Sequence, residues 1–521
     1  MKIIIALLLS LFALSSCVKE PSYDSKELEA RSLKAWIKKN RPDLVGNYQQ
    51  EGGYYVDVLK WGEEGTPING NDLGSEAIME QDTCWVFYNF TGYDLDGNVF
   101  STRDEMIARM QATYTDRTHY VGYGNYCGKE EYYAIVEGSY LASRNKITLS
   151  QEYIARADKQ SICKGTELIL RKGSKVRLYM PSSIGYSTTG SSAEGGYEGQ
   201  YSLDENAPMI LDMEIMRVVK NPSDNELELV DALVKQCNDQ NEQTVWHQIE
   251  EKSEDDTDDD GDTADDSSDT EDTEGEDAEK KYLDGIYYCT DFTPTNALTH
   301  LGYGRTDQAG LNNPYKDSGR YADMAAFDKK LWEILDAKFA DQIKETDADQ
   351  AEEVGEENDA LIWYVGRFLD GFIFDTNIDE VRELAFTDDE SSTVGESISY
   401  SVSSSKDEYI SAWAHCIPKM RYGRWGALIT TSGYAYGSAG VSASTSTSTS
   451  SAQAYNALAN LYNYYSMMGS SYYNSYSYYN YYNYYGGYTN YYDYGDTTTT
   501  IETEIAPYAP LVFYVFVEPK E

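Results

Sequence analysis

The chain has 521 residues and a mass of 58.8 kDa, enough for two or more domains that each bury a core. Its 88 Asp and Glu against 42 Lys and Arg give a formal net charge of -46. A surface of that sign repels polyanions, which excludes a nucleic-acid partner.

In chain order the first element is a leader. MKIIIALLLSLFALSSC places one Lys ahead of an apolar run, Ile3 to Leu14, and closes in small residues. The run is too short to span a bilayer and reads as a secretory signal. Leu14-Ser15-Ser16-Cys17 resembles a bacterial lipobox, which implies cleavage before Cys17 and lipidation of its thiol. Residues 1–17 are therefore expected to be a lipoprotein signal peptide. Val18-Lys19-Glu20 resembles signals that send lipoproteins to the outer membrane, on its periplasmic face or at the cell surface. No later run is apolar enough to cross a bilayer, so the expected membrane contact is the lipid alone. Residues 22–50 follow as a tether, in which Leu28, Leu33, Trp36 and Ile37 among charges predict an amphipathic helix.

Six further cysteines, Cys84, Cys127, Cys163, Cys237, Cys289 and Cys416, show no metal-ligand spacing, and His119, His247, His300 and His415 are scattered. No metal and no cofactor are expected. An exported compartment permits disulfides, but the spacings predict no pairing.

Glu250 to Lys280 is almost wholly acidic or small and polar, a composition that cannot bury enough apolar surface to order itself. Residues 249–281 are expected to be a disordered linker that cuts the chain in two. Asp256 to Gly261 fits the start of an EF-hand loop, but the closing Glu position holds Ser267 and no helical pattern flanks it, so chance in an Asp-rich tract is the better account.

The two parts repeat each other in four blocks taken in the same order. GGYYVDV from Gly52 matches DGIYYCT from Asp284, and LDGNVFSTRDE from Leu95 matches LDGFIFDTNIDE from Leu369. RKGSKVRLYMPSSIGYS from Arg171 matches RYGRWGALITTSGYAYG from Arg421, and APMILDMEI from Ala207 matches APLVFYVFV from Ala509. The expected fold class is α+β, with two duplicated domains at 52–248 and 282–521, each a mostly antiparallel sheet with one short helix before a K-G or Y-G turn. A helical insert is expected at about 320–345 of the second.

The order IWYVGRFLDGFIFD, YISAWAHCIPKMRYGRWGALITTSGYAYG, IAPYAPLVFYV resembles the FKBP-type peptidyl-prolyl cis-trans isomerases. The resemblance covers residues 52–218 and 284–521 with insertions. It implies an antiparallel sheet curled around a short helix, with an aromatic pocket between them. It also places a large insert, 438–504, where the family has a short flap loop. That insert holds a Ser/Thr spacer, an Ala-rich stretch with helical spacing, and the tyrosine-rich tract SYYNSYSYYNYYNYYGGYTNYYDYGD. Tyr, Ser, Gly and Asn are also the composition of adaptable binding loops.

Carried over residue by residue, the resemblance implies that Trp413 forms the floor under a proline ring, with Tyr364, Phe374, Tyr400 and Phe513 as walls. Asp375 would orient Tyr364, the Ile410 N–H would bind a substrate carbonyl, and the Tyr436 hydroxyl another. Tyr409 stands where the family usually has Val, and with Ile505 it is assigned to substrate binding. In the first copy Phe90, Phe100 and Tyr186 match, but Ser101 replaces the Asp, Leu211 replaces an aromatic wall, and Cys163 falls at the Trp position. That copy reads as binding or structural.

Trp413 and Phe374 are also good core residues; the joint presence of Asp375, Trp413 and Tyr436 favours a site. Ser403-x-x-Lys406 and Ser223-Asp224-Asn225 resemble penicillin-binding motifs, but in reversed order and without K-T-G, so they are coincidence. Asp262-Thr263-Ala264 and Asp496-Thr497-Thr498 resemble Bacteroidetes O-glycosylation sites. Two functional readings follow. One is a membrane-anchored isomerase that assists folding of proline-containing exported polypeptides through its second domain. The other is a non-catalytic module whose tyrosine-rich flap contacts polypeptide or glycan.

Overall fold

The computed structural model describes residues 25–62, 71, 73, 76–129, 132–134, 136–187, 201–240, 245–251, 281–290, 324–343, 351–356, 358–386, 395–402, 408–441, 445–448, 498–501 and 503–520. The leader with Cys17, the EF-hand-like hexad, the Ser403-x-x-Lys406 pair and the tyrosine tract lie outside the described residues.

Helix α1 (Ser25–Asn40) inserts Leu33 and Ile37 into the first of two large apolar cores. Strands β1 (Tyr48–Gln49), β2 (Tyr54–Trp61), β3 (Trp85–Tyr93) and β4 (Val99–Thr102) follow, then helix α2 (Glu105–Met110), capped by the Asp104 carboxylate, and strands β5 (Tyr123–Cys127) and β6 (Tyr132–Tyr133). Helix α3 (Glu137–Arg144) fills the hollow of the sheet. A small ladder of β7 (Ile147–Thr148) with β8 (Glu167–Leu168) encloses the one-turn helix α4 (Gln151–Ile154). Strands β9 (Ser174–Met180) and β10 (Met209–Val219) complete the sheet, whose order is β1-β2-β9-β10-β3-β5-β6 with β4 also on β3, antiparallel throughout.

The second core repeats this plan from an unexpected starting point. Helix α5 (Pro222–Gln240) and strand β11 (His247–Glu250) pack Val230, Leu233, Val234, Trp246 and Ile249 into it. Strand β12 (Tyr282–Cys289), helix α6 (Met324–Phe339), strands β13 (Asp359–Phe368) and β14 (Ile373–Thr376), helix α7 (Asp379–Ala385), strand β15 (Ile398–Ser401), helix α8 (Ser411–Cys416) and strand β16 (Arg424–Thr430) follow. Among the described residues strands β17 (Thr445–Ser448) and β18 (Thr498–Ile501) pair only with each other, and β19 (Leu511–Pro519) closes the sheet. Its order, β11-β12-β16-β19-β13-β14 with β15 also on β13, matches the first sheet strand for strand except that, among the described residues, β6 has no counterpart.

The helix at the start of each half plays the same part. The Glu29 carboxylate accepts from the Ser182 hydroxyl at 2.6 Å and from the Ser182 N–H, and the Glu226 carboxylate accepts from the same two groups of Ser432 at 2.6 and 2.8 Å. A division of the chain at 248/249 therefore cuts through β11, which belongs with the second sheet. The acidic stretch does not join two units. Glu250 pairs with Tyr282, and the Glu251 N–H donates to the Lys281 carbonyl at 2.8 Å, so residues 252–280 are inserted in the β11–β12 hairpin, where the first half has the turn between β1 and β2.

The two sheets differ on their outer faces. On β10, Leu211, Met213 and Ile215 point inward, while Asp212 and Glu214 pair with Arg177 and Lys175 of β9 on the outer face. On β19 every residue from Leu511 to Val517 is buried, because α6 covers the outer face. Phe339 lies 4.5 Å from the Phe516 ring and Trp332 5.3 Å from Tyr514. The helix is pinned by Arg367 of β13, which donates to Asp328 at 2.7 Å, to the Gly371 carbonyl at 2.8 Å and to the Tyr514 hydroxyl at 3.3 Å. Both charges are 0% exposed.

The halves also touch. His119 lies flat on Phe368, with ring centroids 4.4 Å apart, and its Nε2 is 2.7 Å from Asp370 in the turn between β13 and β14. Arg117 sits over the Phe386 ring, and Arg103 pairs with Glu504.

Burial raises the Asp328 carboxyl to about 6, against the downward pull of Arg367. With a folded value above the unfolded one, this group stabilises the fold fully below about pH 4, and the contribution is lost as pH rises through about 6. Asp328→Asn is therefore expected to remove a downward slope of stability between those limits, read as the difference from wild type in urea unfolding across the range. Superimposable profiles would exclude this linkage.

Candidate active site

The site lies in the hollow of the second sheet. Its floor is set by α8. Ile410 takes an extended conformation just before the helix, and its carbonyl accepts from the Trp413 N–H at 2.9 Å. After Cys416 the chain tightens into a turn containing Pro418, which has no N–H to continue an α-helix. A helix this short presents one large side chain inward, and Trp413 is 3% exposed.

Three rings stand on edge around that indole. Tyr364 is at 5.5 Å and 74°, Phe513 at 6.0 Å and 86°, and Tyr400 at 6.2 Å and 64°. Tyr409 differs: its ring is 5.2 Å from the indole at 14°, stacked rather than upright. Phe374 sits one ring further out, edge-on to Phe513 at 5.6 Å. The structure thus brings together Tyr364, Phe374, Tyr400, Tyr409, Trp413 and Phe513. Tyr436 is half-buried against the same core, and Ile505 is buried at the foot of the flap insert, where its backbone pairs with Val441.

Backbone irregularity positions the rim. Between β13 and β14 the register slips, so that Phe374 is an extra residue opposite Gly366 and Arg367, a β-bulge that re-aims its neighbours. The Phe374 ring reaches over Gly366, where a Cβ would meet its Cζ at 2.6 Å. Asp375 is left exposed at the rim, accepting from the Thr376 N–H at 2.8 Å and from the Tyr364 hydroxyl. Burial, then the adjacent carboxylate, hold the Tyr364 phenol well above its ordinary value, and the Tyr436 hydroxyl adds to the same shift. Tyr364 therefore remains a proton donor to Asp375 at any physiological pH.

Asn377 is a positioning residue that the sequence reading passed over. Its amide carbonyl accepts from the Tyr364 N–H at 2.8 Å, and its amino group donates to the carbonyls of Ile362 and Glu396 at 2.9 and 3.0 Å. The signal was there: a polar D-T-N run directly follows the strand FIF. Among the described residues the buried Trp413 indole N–H and Tyr400 hydroxyl have no hydrogen-bond partner. Burial pushes the Tyr400 phenol up to about 12.

Among the described residues the first sheet has no such box. Register places Phe90, Gly92 and Leu211 at the positions of Tyr364, Gly366 and Phe513. The helix corresponding to α8 is α3, where the Ser139 N–H donates to the Val136 carbonyl as that of Trp413 does to Ile410. Ser139, not Cys163, therefore occupies the tryptophan position; Cys163 is half-buried in the turn after α4. The space is filled from the sheet by Tyr88, whose hydroxyl is 3.3 Å from the Ser139 hydroxyl.

No family model matches the chain, and no curated protein matches it. Among solved structures it is similar to the three FKBP domains of wheat FKBP73, at 11% identity over 90% of this chain and 95% of that one, with a TM-score of 0.20. It is also similar to a peptidyl-prolyl cis-trans isomerase from Pseudomonas syringae pv. tomato, at 14% identity over 39% of this chain and 99% of that one, TM-score 0.20. FkpA from Escherichia coli aligns at 14% identity over 42% of this chain and 70% of that one, TM-score 0.19.

Gly366→Ala forces a methyl group into the Phe374 ring and is expected to cost about 1–3 kcal/mol in denaturant unfolding. Phe374→Leu in the same chain should recover part of that loss, giving a coupling of at least about 0.5 kcal/mol in a double-mutant cycle. Strict additivity would show that the two residues do not share the space.

Proposed function

We propose that the aromatic box of the second sheet is a peptidyl-prolyl cis-trans isomerase site. The observation that carries this is one indole floor framed by three upright rings, with the hydrogen-bonded Tyr364 and Asp375 at the rim. The reaction needs no nucleophile, metal or cofactor. Rotation about a peptide bond is opposed by a resonance barrier of about 18–20 kcal/mol. Twisting the imide removes the charge separation that water stabilises, so a dry, ring-lined hollow favours the twisted form over the planar one.

Each residue then has a task. Trp413 receives the proline ring, and Tyr364, Tyr400, Phe374 and Phe513 exclude water from it. The Ile410 N–H and the Tyr436 hydroxyl hold the flanking carbonyls, and Asp375 fixes Tyr364. The first sheet, with Ser101 and Ser139 at the positions of Asp375 and Trp413, serves as scaffold or binding surface. In this reading lipidation at Cys17 anchors the chain to the outer membrane, and proline-containing exported polypeptides are the clients; both rest on the sequence.

The paired ends of the flap insert favour a second reading. Val441 bridges to Ile505, and β17 pairs with β18 from Thr445 opposite Ile501 to Ser448 opposite Thr498, so the insert leaves the rim as a ribbon rooted beside the box. A module that only binds would use that ribbon and the tract it carries to contact polypeptide or glycan.

Acceleration of cis-trans exchange in a chromogenic proline tetrapeptide by the full chain separates the two. Isomerisation is expected, reduced at least about tenfold by Trp413→Leu in protein that still melts cooperatively, and unchanged by Ser139→Ala. A wild-type chain that binds an unfolded polypeptide but does not accelerate exchange is the module that only binds.

A further inference from the structure

We infer that Tyr409 is a movable cover over the pocket face of Trp413, which an entering proline ring has to displace. This inference rests on the isomerase reading of the same site and names the residue that controls entry. Among the described residues four rings pack on the indole, and three are inclined to it by 64° or more. Of the four, only Tyr409 lies parallel, at 14° and 5.2 Å. Tyr409 and Tyr364 are half-buried, whereas Tyr400 and Phe513 are buried, so Tyr409 is the partly exposed ring that also lies parallel to the indole.

Trp413 is 3% exposed beneath these rings. In this reading the Tyr409 ring occupies the place a proline would take. Tyr409 immediately precedes Ile410, whose extended backbone leads into α8, so its side chain lies outside the helix, and a turn about its χ1 would leave the α8 backbone in place while giving up its contact with Tyr400. Offset stacking of two aromatic rings shifts an equilibrium by roughly two- to tenfold. The closed state is then a tax on affinity, not on the chemical step, because only the fraction with Tyr409 displaced admits substrate. Substrates whose residue before proline is aromatic or branched and can pack on the displaced phenol recover part of that loss; a Gly-Pro peptide recovers none.

Two readouts test the cover. Acrylamide quenching of Trp413 fluorescence, isolated by subtracting a Trp413→Phe partner in each background, reports the ring face directly and needs no substrate. Exchange kinetics with Gly-Pro and Leu-Pro tetrapeptides report entry. Tyr409→Val is expected to increase quenching of Trp413 and to lower KM for the Gly-Pro peptide by about fivefold, with the change in KM exceeding that in kcat. Tyr409→Trp is expected to raise KM. If Tyr409→Val does not fold, Tyr409→Leu takes its place. Unchanged quenching overturns the cover whatever the activity, and increased quenching with unchanged KM in an active enzyme overturns its role in entry. Increased quenching with no turnover by any variant upholds the cover and removes the isomerase reading instead.

Discussion

Each half of this protein has to fill the hollow of a curled sheet with one short helix, and a helix of six to eight residues cannot do it with aliphatic side chains. One aromatic ring must supply the missing volume, and the halves take it from opposite walls. In the second, the helix supplies Trp413 and the facing strand offers Ile362; in the first, the strand supplies Tyr88 and the helix recedes to Ser139. Large opposite small keeps the packed volume close to constant, which is what a dense interior requires. The ring that rises from the helix is the one the other aromatics surround, so the candidate site follows from which wall carries the bulk.

The same economy governs the outer faces. A sheet covered on one side can alternate apolar and polar residues, and β10 does so with its Asp212 and Glu214. A sheet covered on both cannot, and β19 is apolar from Leu511 to Val517. The cover, α6, could slide along so smooth a surface. The buried Arg367–Asp328 pair gives it one register, at the cost of desolvating two charges, and the further bonds from Arg367 to Gly371 and Tyr514 offset much of that cost.

Much of this was legible in the sequence. Chain order of the four repeated blocks matched the strand order, and Tyr364, Tyr400, Tyr409 and Phe513 pack on Trp413. The position of Cys163 was misjudged because the first half inserts a ladder and a helical turn between α3 and β9, and because Ser139 carries no aromatic signal to mark the spot. The start of the second unit was hidden for a different reason. Composition reveals that the acidic stretch cannot form a core, but not which strands flank it; the pairing of Glu250 with Tyr282 is a contact between residues, and Trp246 and Ile249 are too few to announce a strand. Nor could spacing show that Tyr409 stacks on Trp413 while the other rings stand upright, since orientation depends on how backbone and rotamer meet.

The hairpin placement of the acidic stretch alters what a cut there would mean. Severing a connector frees two bodies to diffuse apart, whereas severing this loop leaves α5 and β11 held by the ladder to β12, by Glu226 on Ser432 and by Val230, Leu233, Val234, Trp246 and Ile249 in the second core. The nicked chain becomes a pair of complementary fragments, and what it loses is the entropy of a closed loop, a term that grows only slowly with length. Conversely, a fragment beginning at Lys281 lacks its own edge strand, and the open flank of β12 is a surface that another chain's β11 fits.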